Sequence, residues 1–171
     1  MRIFVLCTGR CGSTTFAKAC SHITNYTSAH ESGRYVDWSY PDNHIEIDNR
    51  LSWFLGSLAS RYPEAEYIRL SRRREDVVRS FERRQQAGSP LLHAYRSGIC
   101  QLPFSTDEAA AEHFVDAVQA NIFEFLAGRK HWHVEIEEPK IHFSAIWRQI
   151  AAQGNLDAAL REFDIRYNEG K

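Results

Sequence analysis

Eight consecutive residues, Thr8-Gly9-Arg10-Cys11-Gly12-Ser13-Thr14-Thr15, bring together the groups that bind an oxyanion. Gly9 and Gly12 let the backbone turn sharply and carry its N–H groups close to phosphate or sulfate oxygens. Ser13, Thr14 and Thr15 add hydroxyls, and Arg10 adds a rigid cationic fork. If a helix follows, its unpaired N–H groups and positive dipole end strengthen the attraction. An ordinary strand-to-helix turn with a capping Ser has a similar composition, so this loop alone only tilts the balance towards anion binding. It lacks the Gly-Lys-Ser/Thr ending of a metal-dependent nucleotide loop. Asp48, at the end of Ile45-Glu46-Ile47, is a weak candidate to hold a metal. The expectation is an anion site without one.

A second basic element follows. Six arginines lie between Arg72 and Arg84, behind the apolar stretch Tyr67-Ile68-Arg69-Leu70. Arg72 sits where a strand would end, and Ser80 lies about two helical turns beyond it. An Arg and a hydroxyl converging there suit a phosphate monoester. Arg73, Arg83 and Arg84 read as a solvated basic helix face paired to nearby acids.

The elements that must hold these residues follow from periodicity. Arg2 to Cys7 is a continuous apolar run, which predicts a buried parallel strand. A helix then starts at Ser13 or Thr14 and runs to about His22. Strands are expected at Tyr26–Ala29, at His44–Asp48, where Ile45 and Ile47 alternate with polar residues, at Tyr67–Leu70, and at His133–Ile136. Gly33–Asn43 reads as loop. Leu51, Phe54, Leu55 and Leu58 fall at helical spacing up to Pro63. Further helices are expected at Glu75–Gln86, with Val77, Val78 and Phe81 inward, and from the cap Thr106 to the stop Gly128. Ile141–Ile150 and Leu156–Phe163 close the chain. Gly88–Phe104, with three turn formers, reads as a long irregular segment. Strands alternating with helices imply one α/β domain over residues 1–171, a parallel sheet covered on both faces. Ligands of such sheets bind beyond the C-terminal strand ends.

The two basic elements together resemble the P-loop sulfotransferases that use 3′-phosphoadenosine 5′-phosphosulfate (PAPS), most closely their bacterial and carbohydrate-type members. There a basic residue followed by Ser-Gly-Thr-Thr holds the 5′-phosphosulfate, and Arg10-Cys11-Gly12-Ser13-Thr14 fills those places. The family's second element is a strand-end Arg, seven residues and a Ser, with an acid between; Arg72, Asp76 and Ser80 match it. The resemblance covers about Arg2 to Phe81. Cys11 stands where Ser is usual, and the basic Arg-Lys-Gly element near the family's C-terminus has only Gly170-Lys171 as a counterpart. The resemblance implies a three-layer fold, PAPS bound by Gly9, Arg10, Cys11, Gly12, Ser13, Thr14, Thr15, Arg72 and Ser80, release of 3′-phosphoadenosine 5′-phosphate (PAP), and no required metal.

It also implies direct in-line transfer of a sulfuryl group to a hydroxyl or amine. Arg10 then stabilises the leaving phosphate, and a general base serves the acceptor. Glu31 is the first choice for that base, with the adjacent His30 next and Asp48 after it; His44 reads as a surface residue. His131 and His133 bracket Trp132 and, as two histidines without a third ligand, make no metal site. His93, Tyr95 and Arg96 of the irregular segment are candidates to bind the acceptor. The acceptor itself is open: sugar, lipid, small phenol or peptide tyrosine. Two rival readings stand beside this one, a kinase-like phosphotransferase using ATP and magnesium, and a non-catalytic nucleotide-binding module.

Composition bounds the rest. With 43% apolar and 12% aromatic residues the chain is globular. Its 21 basic against 22 acidic residues, a formal charge of -1, disfavour a general nucleic-acid or membrane binder. The four cysteines show neither a CxxC pair nor zinc spacing and read as reduced thiols of a cytoplasmic protein. No apolar run reaches the eighteen or so residues a membrane span needs, and Met1–Leu6 is too short for a signal peptide.

Overall fold

The computed structural model describes residues 1–33, 39–86, 90–101, 103–165 and 167. Five parallel strands form one sheet in the order β2-β3-β1-β4-β5. They are β1 (Arg2–Leu6), β2 (Thr27–His30), β3 (His44–Ile47), β4 (Glu66–Ser71) and β5 (His131–Glu135). Ile3, Phe4, Val5 and Leu6 are fully buried, as a central strand covered on both faces requires. β1 pairs with β3 on one side, Val5 opposite Ile47, and with β4 on the other, Leu6 opposite Arg69.

Seven α-helices pack around the sheet among the described residues: α1 (Ser13–Cys20), α2 (Leu55–Arg61), α3 (Arg74–Gln86), α4 (Pro90–Ala94), α5 (Asp107–Leu126), α6 (Pro139–Gln149) and α7 (Leu156–Arg161). α3, α4 and α5 contact one another, while α1 and α6 both contact α7. Each layer has its own aromatic cluster. Phe81, Trp53 and Tyr95 gather on Phe114 with ring centroids 5.0–5.8 Å away. Phe143 meets both Phe16 and Phe163 at 5.4 Å. The three-layer α/β expectation therefore stands. None of the described helices is long and apolar enough to cross a membrane.

Several boundaries differ from the expected ones. The segment after β3 is a 3-10 helix (Asn49–Trp53) followed by α2, interrupted at Phe54, rather than one continuous helix. β5 begins two residues early, at His131. β3 is not half exposed: His44, Ile45, Glu46 and Ile47 are all buried, because strands flank it on both sides and helices cover both faces. The Gly88–Phe104 stretch is largely helical rather than irregular. Pro90 opens α4, where its missing N–H is no loss, and a π-helical turn (Tyr95–Cys100) follows. Part of that stretch, and residues 34–38 of the expected Gly33–Asn43 loop, lie outside the described residues, as do Gly170 and Lys171.

The chain passes from β3 to β4 across β1, so strand order reverses at β1. Beyond the C-terminal ends of β1 and β4 lies the crevice such a reversal creates.

Candidate functional site

That crevice is a cleft of about 1110 Å³, roomy enough for a nucleotide and part of a second molecule. Its floor is the first loop. Gly9, Arg10 and Gly12 all have left-handed backbones, with φ of 81°, 58° and 85°. For Arg10 that conformation costs roughly 1–2 kcal/mol, a strain typical of ligand-holding turns. Gly12 faces Ile136 so closely that a Cβ there would lie 2.6 Å from Ile136 Cγ1. The N-cap of α1 is Gly12, and no side chain caps the helix. Ser13 does not act as a cap: its hydroxyl instead meets His30 Nε2 at 3.0 Å. The amides of the first helical turn therefore have no capping side chain and open onto the cleft with Ser13, Thr14 and Thr15.

The second basic element reaches the same place. Arg10 Nε donates to Ser80 Oγ at 3.0 Å, and Arg72 Nη1 donates to the Arg10 carbonyl at 3.2 Å. Arg10 is less basic than a free arginine, chiefly through burial and then through the nearby charges of Arg84, Arg72 and Arg83. Arg83 and Arg84 are exposed, as a solvated helix face requires, and both also line the cleft. Arg79, by contrast, is exposed and pairs with Asp76 at 2.5 Å.

The corner after β2 forms a third edge. Glu31 has a left-handed backbone, φ 52°, and its carboxylate accepts from Asn49 Nδ2 at 2.6 Å. Its amide donates to the Ile47 carbonyl, which continues the β2–β3 pairing by one residue. Beneath this corner lies Glu46, fully buried in β3. It accepts from the Ser32 amide at 2.9 Å and the Ser32 hydroxyl at 2.6 Å, and meets His44 Nε2 at 3.0 Å. A buried carboxylate so completely partnered fixes the turn that carries His30 and Glu31.

Gly9, Arg10, Gly12, Ser13, Thr14, Thr15, His30, Glu31, Arg72 and Ser80 all line this one cleft. Cys11 does not: its side chain is 1% exposed and lies under the loop against Cys7. The hydrogen bond between the two thiols holds the Cys11 pKa down and pushes Cys7 well up. Asp48 is also withdrawn, buried and gripped by Arg50 through both carboxylate oxygens, with a shortest contact of 2.6 Å. His44 is neither a surface residue nor near the site. It is buried at the start of β3, between Thr27 and Glu46. Tyr95 is buried against His113 and Arg96 pairs with Asp107, so neither lines the cleft; nor does His93. Their neighbour Leu91 does. His133 meets Ser71 Oγ at 2.7 Å, while His131 Nδ1 contacts the Arg129 carbonyl. No group of metal-ligating side chains converges among the described residues.

Four kinds of lining residue escaped sequence reasoning. Asn49 is a lone amide in a helical turn with no motif around it. Glu137 accepts from the Arg73 amide at 2.8 Å, a contact that only the fold creates. Ile136, Pro139, Phe163, Ile165 and Tyr167 form an apolar wall far along the chain from the loop they face. Arg84 is an exposed residue near the end of α3, and no local pattern marks it as lining a cleft.

No protein-family model matches the chain, and no curated protein sequence is significantly similar to it.

Proposed function

We propose that the cleft binds PAPS and that the chain is a sulfotransferase, moving a sulfuryl group to the hydroxyl or amine of an acceptor. One observation carries this reading. Arg10 and Ser80 are 70 residues apart, yet their side chains are hydrogen-bonded, so the two anion-binding elements belong to one site. A nucleotide with an anionic group at both its 5′ and 3′ positions is the ligand that such a pair of elements suits.

The residues present fit that ligand. The glycine at position 12 leaves the loop amides uncovered, which suits a close-lying phosphosulfate. Arg72 spends one guanidinium nitrogen on the Arg10 carbonyl, leaving donors for the 3′-phosphate beside Ser80. The apolar wall of Ile136, Pro139, Phe163, Ile165 and Tyr167 offers a flat purine a surface to cover, and Ile165 is 47% exposed without it.

In the reaction the S–O bond to the nucleotide phosphate breaks and a bond from acceptor oxygen or nitrogen to sulfur forms. The acceptor proton passes to a base on the protein. Arg10, the loop amides and the α1 dipole meet the charge that builds on the departing phosphate. Glu31 and His30 stand at the edge where that base is needed. His30 is tied to Ser13 and Glu31 to Asn49, so both are held in place before an acceptor arrives. The Glu46–Ser32 contacts preserve this arrangement from below.

Calorimetric titration of the protein with PAP, 5′-AMP and ATP-magnesium tests the assignment. Preference for PAP is expected, and Arg72→Ala should weaken PAP binding by roughly ten- to a hundredfold, the worth of one charge-assisted hydrogen bond. Binding of 5′-AMP should change much less. Equal or tighter binding of ATP-magnesium would instead favour the kinase-like reading. Preference for PAP without any conversion of PAPS would favour the non-catalytic module.

A further inference from the structure

Four arginines line the cleft: Arg10, Arg72, Arg83 and Arg84. Taking the PAPS reading as premise, Arg10 serves the 5′ group and Arg72 the 3′-phosphate. Neither anionic end of the nucleotide is then assigned to Arg83 or Arg84. Arg83 and Arg84 follow Ser80 by three and four residues, so all three side chains share one face of α3. Both guanidinium groups stand close enough to Arg10 to lower its basicity, Arg84 more than Arg72 does. Like charges crowded into one cleft repel one another, and an oxyanion among them removes that cost.

Their position decides which anion they serve. The apolar wall suited to the base belongs to the β5–α6 connection and the stretch after α7, in the helical layer that holds α1 and α6. Arg83, Arg84 and Leu91 line the cleft from the opposite layer, that of α3, α4 and α5. With the nucleotide base on the first wall and its two anionic ends on Arg10 and Arg72, the second wall is left for the molecule that receives the sulfuryl group. We propose that Arg83 and Arg84 bind an anionic group of the acceptor, a carboxylate, sulfate or phosphate. The acceptor class is then an anionic alcohol or amine, such as an acidic sugar, and not a neutral lipid or simple phenol. Paired guanidinium forks hold such a group in fixed orientation, with its neighbouring hydroxyl or amine turned towards Glu31 and His30.

The test uses PAP and inorganic sulfate on the wild type, R83A/R84A and R83K/R84K, with circular dichroism confirming that each variant is folded. Calorimetry should give the double alanine variant a PAP affinity within about twofold of wild type, because the nucleotide's own ligands are untouched. The PAP-saturated wild type is then titrated with sulfate while the arginine Nε–Hε signals are followed by nuclear magnetic resonance. A saturable shift of the Arg83 and Arg84 signals is expected. A PAP-saturated R83A/R84A protein should show no saturable sulfate site, and R83K/R84K should retain a weaker one. A fall in PAP affinity of roughly tenfold or more in R83A/R84A would place these arginines on the 3′-phosphate and overturn the proposal. Absence of a second sulfate site in the PAP-saturated wild type would overturn it as well, while leaving the PAPS reading intact. Failure of the wild type to bind PAP at all is a different result: it removes the PAPS reading, and the acceptor assignment falls with it.

Discussion

Arg10→Ala should slow the conversion of PAPS to PAP by about two to three orders of magnitude, the usual cost of removing one preorganised donor from developing negative charge. The reason lies in how the side chain is held. Its Nε is engaged with Ser80, and its backbone carries Arg72 on the carbonyl, so the guanidinium is fixed before substrate arrives. Burial and three neighbouring arginines already weaken its hold on its proton. Arg10→Lys should recover part of the rate but not all, because a lysine cannot hold Ser80 and a phosphate oxygen in one plane. The measurement is the initial rate of PAP release, with water as acceptor if no better one is in hand, alongside the melting temperature. A rate within a few-fold of wild type would remove Arg10 from the reaction.

Gly12→Ala is expected to be the more damaging of the two methyl additions possible at the loop glycines, Gly9 and Gly12. Two penalties coincide there: a left-handed φ of 85° and a Cβ set 2.6 Å from Ile136 Cγ1. The backbone term costs roughly 1–2 kcal/mol and the overpacking about 1–3 kcal/mol. Together they should lower the melting temperature by about 5–15 °C for a domain of this size. Nucleotide binding should fall further than stability, since the loop must shift out of shape to admit the methyl. Adding Ile136→Ala relieves only the steric part, so the double variant should recover some stability while PAP binding stays poor. Full recovery of binding in the double variant would show that the turn itself tolerates a side chain.

The stretch from Arg2 to Phe81 was largely legible because its signals are local. The fully apolar β1 run, the glycines after it and the Arg72–Ser80 spacing each state a backbone geometry or a helix face directly. What escaped depended on facing surfaces. Glu46 entered only as one of the polar residues that alternate with Ile45 and Ile47. In a parallel sheet with both faces covered there is no outward side, and the carboxylate is buried on Ser32 and His44 instead. Arg83 and Arg84 are solvent-exposed as expected, but nothing in the sequence of a helix says that a cleft lies beside its last turns. α4 and the π-helical turn are too short to show a period, and Leu92 and Tyr95 are buried in them through contacts with other elements. The apolar wall of the cleft is assembled from residues more than a hundred positions beyond the loop it faces, a pairing that no local pattern encodes.

The two thiols beneath the anion loop carry a consequence of a different kind. Cys7 and Cys11 are each only 1% exposed, so an alkylating reagent reaches them only when the loop lifts from the sheet. Their labelling rate is thus a clock for that local opening, separate from the unfolding of the domain as a whole. Ligand on the loop should slow the clock in proportion to its occupancy. The chain thereby carries a built-in reporter of how often its loop comes apart, readable by mass spectrometry with no acceptor and no turnover.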